Sequence, residues 1–245
     1  MGYYTAIVPK SLAFHREDFP DPFHAVPLAR KQMACANQRL RRAEILCNVR
    51  RLLAQDGYAG VSLKEVAQSS NVSIQTVYNL VGNRTTLLAE AVVEHIGAHG
   101  KLAFSRKGYP NPIIGLCDLY WEGAALHPQY TRNATLTYFP PDRPLFEHIH
   151  KRGALLLREG FRVMAAEGKL RPCDHQALSS RIAGLQSITV LDGLTGFGDL
   201  FDLRRELVNS IGLMLMPVVT GQHAADMEVW LNAFDPRAIN TPIGE

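Results

Sequence analysis

The chain has 245 residues, 47% of them hydrophobic, and a formal net charge of +3. That is enough for one small and one medium domain with ordinary hydrophobic cores; so modest a net charge says less than where the charges sit. Cys35, Cys47, Cys117 and Cys173 are scattered with no C-x-x-C pair, which speaks against a zinc ribbon or a disulfide scaffold and fits reduced thiols in a cytosol.

Residues 1–29 contain Pro9, Pro20, Pro22 and Pro27 and no apolar period, the pattern of a flexible arm. We expect this arm, basic at its end, to cover residues 1–40. Between positions 30 and 51, Arg30, Lys31, Arg39, Arg41, Arg42, Arg50 and Arg51 are opposed only by Glu44. Such a run is either a solvated face or a phosphate-contacting one. The arm could lie on phosphates, reach a minor groove, or be a plain leader. A first helix is expected from Arg41 to Asp56. Ile45, Leu46, Val49, Leu52 and Leu53 form its amphipathic stripe, Arg50 and Arg51 face outward, and Gly57 ends it.

The next stretch, residues 61–88, carries the strongest signal. Ser62 and Glu65 have the spacing of a capping box at a helix start. Leu63, Val66 and Ala67 then form one buried face. Asn71 tolerates the left-handed backbone of a sharp turn, and Val72 plugs the corner. Ser73 caps a second short helix whose inward face is Val77, Leu80 and Val81. Small residue, turn residue four later, apolar residue six after that is the spacing of a helix-turn-helix, which presents its second helix to the DNA major groove. Gln75, Thr76, Tyr78 and Asn79 would face bases or nearby phosphates. Ser62, Lys64, Ser73 and Arg84 would hold the backbone, with the start of a helix at Arg84 adding unpaired N–H groups for a phosphate.

The neighbours extend the pattern. A helix ending in Gly57-Tyr58 precedes it. Val72, Ser73, Thr76, Val77 and Tyr78 supply a V-S-x-x-T-hydrophobic-Y core, and Arg84 with Leu87 and Leu88 follows. Over residues 41–91 the chain resembles the N-terminal domain of the TetR (tetracycline-repressor-like) family. Asn71 replaces that family's usual Gly, Ile74 a common polar residue, and Leu80 and Val81 a frequent aromatic pair. The resemblance implies an all-α protein: an N-terminal three-helix helix-turn-helix domain at residues 41–90, then a larger helical ligand-binding and dimerisation domain at residues 91–234, with a tail at 235–245. It also implies a fourth helix, from Arg84 to about Gly100, whose tilt transmits ligand binding.

From residue 101 charge thins, and aromatics and prolines enter. We expect helices at residues 112–126, 128–138, 143–167, 174–194, 200–219 and 224–233, with Gly168 stopping one and Asp174 capping the next. Leu207, Ile211, Leu215 and Val218 lie on a helix apolar nearly all round, preceded by a stripe with Ile182 and Leu185. These residues would pair two copies around a two-fold axis as a homodimer, unless that helix is simply buried within one chain. A small-molecule pocket would draw on Cys117, Trp121, Asn133, Tyr138, Arg158, Phe161 and Gln186, with Tyr120 nearby. Helix-spaced aromatics are equally the stuff of plain core.

No H-E-x-x-H, P-loop or G-x-G-x-x-G fingerprint occurs, and His148 and His150, two apart on a helix, would diverge. We therefore expect no catalytic residues, no metal site and no cofactor. The apolar run 211–220 is far too short for a membrane span and contains Pro217, and no secretory signal opens the chain. The expectation is a soluble cytoplasmic transcriptional regulator, a repressor bound as a dimer to a palindromic operator in double-stranded DNA and released by an unknown small molecule. The alternative is a helical small-molecule-binding protein or enzyme that keeps the fold without operator binding.

Overall fold

The computed structural model describes residues 21–23, 33–105, 108–137 and 143–237. Ten helices run through them in the order α1 (Met33–Gly60), α2 (Leu63–Ser69), α3 (Ile74–Leu80), α4 (Arg84–Ser105), α5 (Pro112–Leu126), α6 (Pro128–Leu136), α7 (Arg143–Ala166), α8 (His175–Thr195), α9 (Leu200–Leu215) and α10 (Gly221–Ala233). The all-α expectation holds.

α1 starts at Met33 rather than at Arg41, so the basic residues Arg39 and Arg41 ride on a helix and not on a loose arm. It breaks at Gly57, whose φ of 69° and ψ of −170° leave the helix, as the Gly-Tyr pair predicted. α2 opens with the capping box: Ser62 Oγ accepts from Glu65 N at 3.2 Å, and the Glu65 carboxylate accepts from Ser62 N at 3.0 Å. Asn71 takes φ 51°, and that left-handed residue turns the chain from α2 into α3. Ser73 caps α3 by accepting from Thr76 N at 3.1 Å. α5 has Asn111 as its cap, with Pro112 in the first turn. Gly168 ends the α7 region with φ 70°, and Asp174 caps α8. α9 stops at Leu215, short of the expected residue 219. Pro217 cannot continue it, and Val219 instead forms an isolated antiparallel bridge with Leu170.

Two cores result. The lower one joins Ile45, Leu46, Val49 and Leu53 of α1 to Val66 and Val77 of the reading pair and Leu87, Leu88 and Val92 of α4. It also takes in Tyr130 and Ala134 of α6 and Leu145 and Ile149 of α7, so the head leans on the body through more than its shared helix. The upper core gathers α5, α7, α8, α9 and α10 around residues such as Ile114, Trp121, Phe161 and Ile211. Burying each large aliphatic side chain is worth about 1.5–3 kcal/mol. Inside the upper core Arg204 makes a two-pronged pair with Asp118, at 2.7 and 2.8 Å, and reaches Glu122 at 3.3 Å, fixing α9 to α5.

Arg50, expected outward, is only 1% exposed. Its guanidinium donates to the Pro22 and Ala91 carbonyls and pairs with Glu94 at 2.8 Å. Asp21, Pro22 and Phe23 thereby act as a strap. Cys47 Sγ and Arg51 donate to the Phe23 carbonyl at 2.7 and 2.9 Å. The Phe23 ring meets His127 and Tyr130 of the body edge-on, at 5.7 and 6.2 Å. The strap thus touches α1 on one side and the start of α6 on the other. The rest of the expected arm, at residues 1–20 and 24–32, lies outside the described residues, as does the tail from residue 238.

Candidate nucleic-acid interface and ligand cavity

The reading helix α3 stands clear of the body. Val77 alone of its residues is buried, while Ile74 is 49% and Tyr78 56% exposed. Gln75 and Asn79 are exposed one turn apart, and Gln75 Nε2 donates to Asn79 Oδ1 at 2.8 Å. The pair is therefore pre-oriented, with the Asn79 amide N–H groups and the Gln75 carbonyl oxygen still available to a base edge. Thr76, half-buried, is tied to the cap by its hydroxyl, 2.8 Å from Ser73 Oγ. Lys64 is exposed on α2 beside the turn, and Arg39 and Arg41 are exposed on α1. α1 and α3 flank an open groove lined by Gln38, Arg41, Thr76 and Asn79. Arg42 is paired instead with Glu90 at 2.8 Å.

Arg84 does not extend toward this surface. It donates to the Val61 carbonyl at 2.6 Å and to the Tyr58 carbonyl, and its guanidinium lies 4.1 Å from the Tyr58 ring centre. The loop between α1 and α2 leaves those carbonyls without helical partners, and Arg84 satisfies them. Ser62 is likewise occupied by its capping box. Ser73 and Thr76 are tied to each other in the α3 cap in the same way, which leaves Lys64, Gln75, Tyr78 and Asn79 as the exposed residues of the expected set.

The body holds a small cavity of ≈ 40 Å³ between α4, α5, α7 and α8. Gln186 and Tyr120 line it; so do His99 and Leu156, which the sequence reading did not single out. Cys117 lies behind Gln186, its Sγ donating to Gln186 Oε1 at 3.4 Å, and burial pushes its thiol well above the usual range. The other expected pocket residues go elsewhere. Trp121 is packed in the upper core, 2% exposed, against the α8 backbone at Gly193. Phe161 is fully buried and stacks on His175. Arg158 is exposed on α7. Asn133 donates to the Leu53 and Ala54 carbonyls at 2.9 and 3.2 Å, satisfying the last turn of α1 where Gly57 breaks it. Tyr138 lies outside the described residues.

His99 is the link from this cavity to the head. Its ring packs edge-on against His95, centres 4.4 Å apart, and His95 packs against Tyr130 at 5.0 Å. Tyr130 meets the strap at Phe23. Burial lowers the pKa of both imidazoles, that of His99 to about 4. Gly123 makes room for His99, since a Cβ there would sit 2.6 Å from its Nε2. A spacing of four on α4 was the available sign in the sequence, but it could not say that α5 brings a glycine to meet it. Among the described residues no group of three His, Cys, Asp or Glu side chains could hold a metal ion, and no helix is long and apolar enough to cross a membrane.

The described residues thus form a helix-turn-helix head on a helical body that holds a small cavity. Residues 45–91 match the family model of bacterial regulatory proteins of the tetR family. A TetR transcriptional regulator from Rhodococcus sp. RHA1 shares the fold with a TM-score of 0.60 at 18% identity, over 73% of this chain and 97% of its own. A TetR-family transcriptional regulator from Pectobacterium atrosepticum gives 0.53 at 19% identity, over 78% and 99%. The transcriptional regulator FadR from Bacillus subtilis, in complex with stearoyl-CoA, gives 0.54 at 16% identity, over 68% and 95%. No curated protein matches the sequence. Residues 45–91 are thus similar to the TetR-family DNA-binding domain, and the chain as a whole shares the fold of these solved regulators.

Proposed function

We propose that the protein is a repressor that binds a palindromic operator as a homodimer and leaves it when a small molecule fills the body, working in the cytoplasm and without turnover. The observation that carries the DNA-binding half is α3. It is a short helix in which only Val77 is buried, and it exposes uncharged Gln75, Tyr78 and Asn79, the first and last pre-paired, beside the apolar Ile74. An acid there would be repelled by phosphate; these side chains instead offer donors and acceptors to bases. Lys64, Arg39 and Arg41 supply positive charge around it.

Pairing through α8 and α9 uses a different face from the one expected. Ile182, Leu207, Ile211 and Leu215 are sheltered in the protomer's own core, because the helix pair covers the upper core before any partner arrives. Leu185 and Val218 remain half-exposed, and Ile188 and Leu213 stand 45% and 74% exposed. We infer that Leu185, Ile188 and Leu213 form the centre of a self-complementary patch.

Release follows from α4. Its first turns belong to the head core through Leu87, Leu88 and Val92, and its later turns wall the cavity through Ile96 and His99. A cavity of ≈ 40 Å³ is far below the few hundred Å³ of an ordinary ligand pocket. Filling it must push the walls apart, and displacing α4 moves the head. Ligand and operator then weaken each other by the same factor, because linkage is reciprocal. The test is a fluorescence titration against the palindromes flanking the coding region at several salt concentrations. With roughly six to ten phosphate contacts per dimer, affinity falls about a thousandfold or more between 50 and 200 mM salt. Absence of binding at the lowest salt contradicts the reading.

A further inference from the structure

We propose that the cavity between α4, α5, α7 and α8 selects an uncharged, largely apolar molecule carrying a hydrogen-bond acceptor, such as an amide, ester or ketone oxygen. The proposal rests on the ligand-released reading above and adds the chemical class of the ligand. Its first support is the composition of the wall. Ile96, Leu116, Leu156, Leu157 and Ala183 are apolar, and His99, Tyr120, Gln186 and Ser187 are polar. No Lys, Arg, Asp or Glu is among the described residues that line it. A carboxylate, phosphate or ammonium placed there would lose much of its hydration and gain no counter-ion from the lining, a net cost that an uncharged ligand avoids. His99 does not supply the missing charge, because burial keeps its imidazole neutral at physiological pH. Arg158, the cation expected for the pocket, is out on the solvent side of α7.

The polar groups set the second requirement. The Gln186 carbonyl oxygen already accepts from Cys117 Sγ at 3.4 Å, so the carboxamide is oriented and its Nε2 is the end left to donate. Among the described residues Nε2 has no acceptor. Ser187 Oγ donates to the Ala183 carbonyl at 2.9 Å, and the Tyr120 hydroxyl stands 3.5 Å from Thr135 Oγ1. The wall therefore presents an N–H donor from Gln186 among hydroxyls already engaged with the protein. A ligand acceptor oxygen meets that N–H, and the remainder of the ligand lies against the leucines. Room for it comes from Leu156, which packs so closely on α4 that a Cβ at Gly100 would lie 2.9 Å from its Cδ2. A rotamer change at Leu156 opens the cavity on the α4 side.

The test pairs uncharged probes with charged ones of the same skeleton: octanamide with octanoate, and benzamide with benzoate. Binding to the full chain is measured at neutral pH by calorimetry and by release of a bound operator duplex. At least one amide binds and releases DNA, and it does so at least tenfold more tightly than its carboxylate partner. Gln186→Leu removes that preference, and a thermal melt of the variant checks its folding. If Gln186→Leu does not fold, Gln186→Glu, which keeps the size and loses the N–H donor, replaces it. A carboxylate binding as well as its amide, neither amide binding, or an amide binding undiminished to the variant overturns the proposal. Operator binding by the ligand-free protein is scored separately, so failure of the DNA-binding reading is told apart from failure of the ligand class.

Discussion

Arg84 and Lys64, both expected to hold the DNA backbone, have different surroundings. Arg84 is turned into the domain, where two carbonyls and the Tyr58 ring hold it. Lys64 is exposed. Arg84→Ala should therefore cost about 2 kcal/mol of stability, the worth of charged hydrogen bonds to groups then left unsatisfied, and leave the salt dependence of DNA binding unchanged. Lys64→Ala should do the reverse: no change in melting, and a salt slope lower by about 1 per protomer. Urea melts and salt titrations of the two variants separate these roles. At the turn, Asn71 holds φ 51°. Asn71→Ala should lose about 1 kcal/mol, since a Cβ without a locally bonding side chain is strained in that region, whereas Asn71→Gly should lose nothing measurable. An equal loss from both would show that the Asn side chain, not the backbone angle, is what matters.

At the scale of elements, the strap and α4 meet at one junction. Phe23 is half-buried between α1 and α6, so Phe23→Ala should lower stability by about 1 kcal/mol. Because its ring fixes the strap to the body at His127 and Tyr130 while its carbonyl holds α1, the substitution should also lower the factor by which a ligand weakens operator binding. A changed stability with unchanged coupling would make the strap a structural contact only. α4 carries His95 and His99, whose folded pKa values burial depresses below the usual 6.5. The unfolded chain therefore takes up protons at these sites in a range where the folded chain does not. Stability should be full above pH 6.5 and fall as pH drops toward 4, by on the order of 1 kcal/mol per unit for each imidazole. His99→Gln should flatten part of that fall in denaturant melts taken across the range; a variant with the same pH profile as the parent would contradict it.

Over the whole molecule, what could be read from the residues followed how local each feature is. The capping box at Ser62, the turn at Asn71, the Ser73 cap and most helix bounds depend on neighbours a few positions apart, and they stand where expected. Arg50, Arg84 and Asn133 were misjudged because each reaches a carbonyl more than twenty positions away. Hydrophobic period alone cannot say which partner a polar residue will find. The same limit explains the pairing face: periodicity marked α9 as apolar nearly all round and a stripe on α8, but only the packed protomer shows that Ile182 and Ile211 look inward and Ile188 and Leu213 outward. The cavity was the least legible, since His99, Leu156 and Gln186 come from three helices that only the fold brings together.

That a paired molecule reads DNA through two copies of α3 is tested most directly by selecting tight-binding duplexes from a random pool and counting protomers on the winners. Two copies of α3 in one dimer should select a two-fold-symmetric sequence with half-site centres a whole number of helical turns apart, each turn about 34 Å, and an even number of protomers bound per duplex. An enriched single asymmetric half-site carrying one protomer, or a pool with no enrichment at all, would contradict it.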